Sequence, residues 1–167
     1  LGEPLATFRE RSEPGSLDPQ NATYTIDGKA IILVNGMAET AVAPGSAAKQ
    51  VTRYFGNPVQ LDLNGDGAID AAFVLVQSSG GSGTFYYVAA ALNTPDGSLG
   101  TNAIFIGDRI APQSTLLDPN NPAQFIVNYA DRAADEPMSA QPSQAVSKRF
   151  KLEGSALVEV PAPNSVP

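Results

Sequence analysis

Ala71-Ala-Phe-Val-Leu-Val-Gln77, then Ser78-Ser-Gly-Gly-Ser-Gly-Thr84, then Phe85-Tyr-Tyr-Val-Ala-Ala-Ala-Leu92: the reading of this stretch decides the fold. Each outer segment is a short apolar run of strand length, and the Gly/Ser segment between them is a turn. The two runs are expected to pair antiparallel. Downstream, Pro95-Asp96-Gly97 turns the chain again, and Asn102–Ile106 and Phe125–Tyr129 read as further strands. Lys148–Leu152 and Ala156–Val160 form a closing hairpin around Glu153-Gly154. Upstream, Thr23–Ile26 and Ala30–Val34 form another around Asp27-Gly28, a pair that supplies the positive φ angles a two-residue turn needs. Ser46–Phe55 is ambiguous. Ser46 suits a helix cap and Ala47–Gln50 are good helix formers, whereas Val51–Phe55 alternates. A strand from about residue 50 is the reading taken.

Regular short strands with turn signals between them predict an all-β, mainly antiparallel fold: a small sandwich, barrel or meander with at most one short helix. Residues 1–20, with three prolines and no apolar period, read as a flexible tail or linker. Residues 21–160 read as a single β-rich domain, and the proline-bearing residues 161–167 as a C-terminal tail. No segment repeats.

Composition excludes several function classes. The chain of 167 residues is 43% hydrophobic, enough for a packed core, and carries a net charge of -7 with no basic stripe. Lys and Arg would have to neutralise phosphates on a nucleic-acid surface, so no nucleic-acid partner is expected. There is no Cys, His or Trp in the chain. Ordinary structural zinc sites, Ser-His-Asp triads and Cys-His pairs are therefore absent. No apolar run approaches about 18 residues, so neither a signal peptide nor a membrane span is expected within it. Any targeting segment is expected to be missing from this chain, which opens on Leu1.

One segment carries specific chemistry: Asp62-Leu-Asn-Gly-Asp-Gly-Ala-Ile-Asp70. Oxygen-bearing side chains fall at alternate positions, and Gly67 stands sixth, where a calcium loop bends. Calcium takes about six to eight oxygens. Asp62, Asn64 and Asp66 can offer side-chain oxygens, Ala68 a carbonyl, Asp70 a carboxylate at the ninth place, and water the rest. Phe73 occupies the twelfth place, where an EF-hand needs a bidentate Glu. The loop resembles instead the DxNxDGxxD calcium loops of FG-GAP blades and dockerin-like segments, here leading into a strand. A structural Ca2+ is the expected cofactor; the competing reading is a metal-free Asn-Gly and Asp-Gly turn.

Other motifs favour plainer readings. Ser46-Ala-Ala-Lys49 matches the Ser-x-x-Lys of penicillin-binding enzymes, but the partner motifs are missing and a cap or strand start suffices. Gly80-Gly-Ser-Gly83 can present amides to an anion, yet no Walker Lys follows. Asp108-Arg109 and Asp131-Arg132 each end a strand; if those strands are neighbours, the four side chains would gather at one end of the sheet, read as a salt-bridge network or solvated charge ahead of a ligand-binding rim. Neighbours on a strand face opposite ways, so neither Asp is expected to pair with its own Arg. Asn21-Ala-Thr23 is a glycosylation acceptor sequence.

Three segments, "DLNGDGAIDAAFVLVQSSGGSGTFYYVAAALN", "TNAIFIGDRI" and "DEPMSAQPSQAVSKRFKL", together resemble a family of uncharacterised exported bacterial domains, often predicted lipoproteins. The resemblance covers roughly residues 50–152. In such proteins the stretch matching Asp135–Pro142 often carries cysteines; Ser139 and Ala140 stand here instead. The resemblance implies an extracytoplasmic domain, periplasmic, secreted or lipid-anchored, with a possible envelope or protein partner. It transfers no catalytic residue. The expected function is a structural or binding domain with one calcium loop and no assigned catalytic residues. An enzyme acting on cell-wall glycan or peptide through carboxylates is one alternative. An adhesion or inhibitor module displaying Tyr86 or Tyr87 is another.

Overall fold

Twelve strands run through residues 17–161, the part of the chain that this computed structural model describes. They are β1 (Thr23–Ile26), β2 (Lys29–Ile32), β3 (Met37–Ala41), β4 (Lys49–Leu61), β5 (Asp70–Ser78), β6 (Phe85–Thr94), β7 (Gly97–Gly100), β8 (Ile104–Asp108), β9 (Ala111–Asp118), β10 (Asn121–Asp131), β11 (Gln144–Glu153) and β12 (Ala156–Val160). One 3-10 turn, Pro19–Asn21, precedes them. Of the tails expected at residues 1–20 and 161–167, residues 1–16 and 162–167 lie outside the described part. Residues 17–20 are held to the domain: Leu17 packs on its core, and the Pro19 carbonyl accepts the Tyr24 hydroxyl at 2.6 Å.

The decisive stretch behaves as its sequence requires. β5 and β6 pair antiparallel, with Ala71 opposite Ala91 and Gln77 opposite Phe85. They form the centre of a six-stranded sheet ordered β3-β4-β5-β6-β7, with β8 also pairing β6. A four-stranded sheet, β12-β11-β10-β9, covers one face, and the two-stranded hairpin β1-β2 covers the other. This layering explains why β5 and β6 are apolar throughout rather than alternating: both faces are buried. Ala72, Val74, Val88 and Ala90 pack against Phe125, Val127, Phe150 and Leu157 of the four-stranded sheet. Phe73, Leu75, Tyr87 and Ala89 point the opposite way, against Tyr24, Ile31 and Leu33 of the hairpin layer. Phe73 stacks on Tyr54 at 4.8 Å and meets Tyr24 edge-on at 5.5 Å. Full burial of such a side chain stabilises by roughly 1.5–3 kcal/mol.

The all-β expectation holds, as stacked sheets and not as a closed barrel. Ser46–Phe55 contributes no helix; β4 starts at Lys49 and runs to Leu61, longer than expected. Its register against β5 slips between Phe55 and Val59, at a bulge around Gly56-Asn57-Pro58 where proline has no amide to lose. The Asp27-Gly28 turn has φ of 52° and 78°, and Asn35-Gly36 repeats the device with 51° and 82°. β3, β7 and β9 add to the strands anticipated from sequence.

Two contacts fix the layers at the β8/β12 side. Gly100 lies under β1 so closely that a Cβ there would stand 2.1 Å from the Thr23 carbonyl oxygen. Only glycine permits that approach. Nearby, the Asn102 amide acts like a short strand: its Nδ2 donates to the Leu157 carbonyl at 3.0 Å, and its Oδ1 accepts the Leu157 amide at 2.8 Å. Those bonds occupy the outer edge of β12 and tie the two sheets together. At the other side, β4 and β9 carry no such bridge among the described residues, and hollows open between them. One is lined by Phe55, Gly56 and Pro112–Leu116, the next by Gln60–Asp62, Leu117–Pro119 and Pro122.

Candidate metal centre

The Asp62–Asp70 loop connects β4 to β5, so its two ends are fixed by neighbouring strands of the central sheet. Leu63 anchors it by burial in the larger core. The turn is wound around Asp62. Its Oδ1 accepts the Gly65 amide at 2.8 Å, and its Oδ2 accepts the Gly67 amide at 2.8 Å. Gly67 reaches this position with φ of 89°, which side-chain-bearing residues avoid. Asn64 Oδ1 accepts the Asp66 amide at 3.3 Å, and Asp66 Oδ1 accepts the Ala68 amide at 2.9 Å. Each acceptor thus closes the next small turn, the local bonding that Asp and Asn side chains favour.

Asp70 has a different role. It is fully buried; its Oδ2 accepts the Leu63 amide and its Oδ1 the Asn93 amide, each at 2.8 Å. The side chain therefore fastens the loop to β6. Electrostatics separate the two anchors. The Gly67 amide, helped by that of Gly65, holds the Asp62 carboxyl below the usual carboxylate range. Burial pushes Asp70 up, against the pull of the Asn93 and Leu63 amides and with the added repulsion of Asp66 and Asp62.

All five sequence-chosen residues lie in one loop: Asp62 and Ala68 half-buried, Asn64 and Asp66 exposed, Asp70 buried. Their oxygens are the hard donors calcium accepts. Their carboxylates do not converge, however. Among the described residues no group of three or more His, Cys, Asp or Glu side chains is placed to share a metal ion. As folded here, the loop is held by its own amides.

The Asp-Arg pairs depart from expectation. Asp108 does pair with its own neighbour: Arg109 Nη2 lies 3.0 Å from Asp108 Oδ2, and Arg109 Nε 3.2 Å from Oδ1. Alternation fails because Arg109 lies beyond the end of β8, with φ of 54°. The Arg109 bond holds the Asp108 carboxyl below its ordinary range, with further help from the Thr84 amide and the charge of Arg132. Arg132 donates to two carbonyls, Ala140 at 2.8 Å and Arg109 at 2.9 Å. Asp108, Arg109 and Arg132 do gather, but across two sheets rather than at one end of a single sheet, since β8 pairs β6 whereas β10 pairs β9 and β11; Asp131 instead accepts the Arg132 backbone amide at 2.7 Å.

Other candidates resolve simply. Ser46 Oγ accepts the Ala48 amide at 3.1 Å, and Lys49 begins a strand. Tyr87 is buried in the hairpin-side core, and Tyr86 is half-buried with Phe55 edge-on at 5.6 Å. Sequence reading passed over Asp118, a buried carboxylate bonded to Arg149 Nε at 3.0 Å, and Asn102. Pro119-Asn120-Asn121-Pro122 is a turn signal beside the first that could have drawn attention to it; nothing local marks the second. No helix among the described residues is long and apolar enough to cross a membrane. No protein-family model, curated protein or solved structure matches the chain.

Proposed function

We propose that this chain is a non-catalytic, extracytoplasmic structural or binding domain, and that its Asp62–Asp70 loop takes one structural Ca2+. The observation that carries the metal is the winding of the turn on Asp62. Two backbone amides bond that carboxylate at 2.8 Å each and hold it below the usual carboxylate range, at the first position of a loop with the sixth-place glycine. Asp62, Asn64, Asp66, the Ala68 carbonyl and Asp70 would hold the ion, after the loop draws its carboxylates together. The ion would supply positive charge to three carboxylates that otherwise repel. Extracellular-type calcium sites work at about 10⁻⁴–10⁻³ M, so a weak site suffices outside the cytoplasm. The resemblance to exported bacterial domains supports that location.

The carboxylate-enzyme alternative has less support. A general acid needs a raised pKa and a cleft to work in. Asp70 has the first, but it is sealed from solvent and both its oxygens are bonded. Asp118 is buried against Arg149.

Calcium titration followed by melting temperature and calorimetric heat tests the metal. Binding to the folded state alone stabilises by about 2.7 kcal/mol at a hundredfold excess over Kd. The expected result is a rise in Tm with calcium that Asp66→Ala diminishes. No heat and no Tm shift, with Asp66→Ala behaving as the parent, would leave the loop a metal-free turn.

A further inference from the structure

The second hollow between β4 and β9 lies against the outer wall of the Asp62–Asp70 loop. Its volume is about 660 Å³, within the ~300–1,000 Å³ range of small-ligand sites. Leu61, Leu117, Pro119 and Pro122 make most of the wall, with Asp62, Gln60 and Asp118 as its polar groups. Leu117 is 51% exposed, so an apolar surface stands open to water there. The two carboxylates differ in charge balance. Asp118 is neutralised by Arg149 at 3.0 Å. Asp62 has no Lys or Arg within ion-pair distance among the described residues. Backbone amides, those of Gly65 and Gly67 at 2.8 Å foremost, are the only partners of its carboxylate among the described residues, so its negative charge meets no cation.

We propose that this hollow binds an amphiphilic organic cation, its apolar body against Leu61, Leu117, Pro119 and Pro122 and a single ammonium or guanidinium head on Asp62. The charge argues for a cation over a neutral or anionic amphiphile. The only ionised wall group without a counter-charge is a carboxylate, on a chain whose net charge is -7. The inference rests on the reading of the chain as a binding domain and not on the metal. It does connect the two, because Asp62 serves both: calcium in the loop would weaken the hold on the cationic head, and linkage makes the effect reciprocal.

The test uses three probes with one chain length and three heads: octylammonium, 1-octanol and octanoate, titrated into ¹⁵N-labelled protein in EGTA. Saturable amide shifts are expected around Leu61, Leu117 and Ala123. Octylammonium should bind about threefold tighter than octanol, the scale of one partly exposed charge pair, and octanoate more weakly than both. Asp62→Asn should erase the preference for the ammonium head while keeping the shifts, and Leu117→Lys should abolish saturable binding of all three. Scattered or unsaturable shifts would overturn the proposal. So would octanoate matching octylammonium, or a preference that survives Asp62→Asn. If Asp62→Asn unfolds, the head-group series on the parent and the Leu117→Lys arm decide the matter. Because these titrations exclude calcium, a failed metal site leaves their result intact. Calcium added afterwards should weaken octylammonium alone wherever the melting experiment has shown metal binding.

Discussion

The two sides of the sandwich are built to different rules. At the β8/β12 side, glycine lets β1 settle onto Gly100, and the Asn102 amide completes the edge of β12. At the β4/β9 side, a bulged strand with Pro58 faces an edge strand with Pro112, and apolar side chains line open hollows. The first side spends its polar groups on backbone partners. The second leaves Phe55, Leu116 and Leu117 at 38%, 51% and 51% exposure. The contrast teaches where stability and where recognition reside. A closed edge is paid for in fixed geometry and punishes substitution, whereas an open one tolerates it and is free to bind.

That contrast breaks most sharply at Gly100. Gly100→Ala drives a methyl into the Thr23 carbonyl, and neither backbone can move alone, so a loss of about 3 kcal/mol is expected in denaturant unfolding. Next comes Asn102→Ala. Leu157 is 1% exposed, and the substitution strands its amide and carbonyl, costing about 2 kcal/mol. Size-exclusion chromatography of the same variant should report self-association through the newly bared β12 edge.

A smaller effect, present at neutral pH and fading in acid, is expected at Asp108. Its folded pKa lies below the unfolded value, so its contribution is complete above the unfolded pKa near 3.8 and is lost as pH falls through the folded value. Asp108→Asn should lower Tm modestly at pH 7, where the contribution is complete, and the Tm-against-pH curves of variant and parent should converge in acid below about pH 4. The smallest effect belongs to the open side. Leu117→Lys should alter stability by less than about 0.5 kcal/mol, since the side chain is half in water already. A large loss there would mean that the open side, too, holds the fold together.

Legibility in the sequence followed burial. β5, β6, β10 and the two Gly-turn hairpins were readable because their side chains carry the pattern. β3, β7 and β9 were not. Met37-Ala-Glu-Thr-Ala41 buries only Ala38, and Ala111–Asp118 holds a proline and mostly half-exposed residues. Such edge strands are held by a neighbour's backbone, which leaves little trace in side-chain choice. The candidate loop was readable as a donor list, residue by residue. That Asp70 turns to Leu63 and Asn93 instead was not, because the Asn93 amide comes from a strand distant in sequence. Arg109 misled for a related reason: alternation ends where the strand ends, and its left-handed backbone is set by context beyond the dipeptide.

The hairpin layer has a consequence for the order of synthesis. Tyr24, Ile26, Ile31 and Leu33 leave the ribosome before the surface that buries them, made of Phe73, Leu75, Tyr87 and Ala89, and the seat at Gly100 comes later still. At about 5–20 residues per second, the hairpin waits on the order of 4–15 s with its apolar face uncovered. During that interval the four-residue strands β1 and β2 have only each other, too little for independent stability. Among the described strands, β1 and β2 are made before the surface that buries them and therefore become structure only after it.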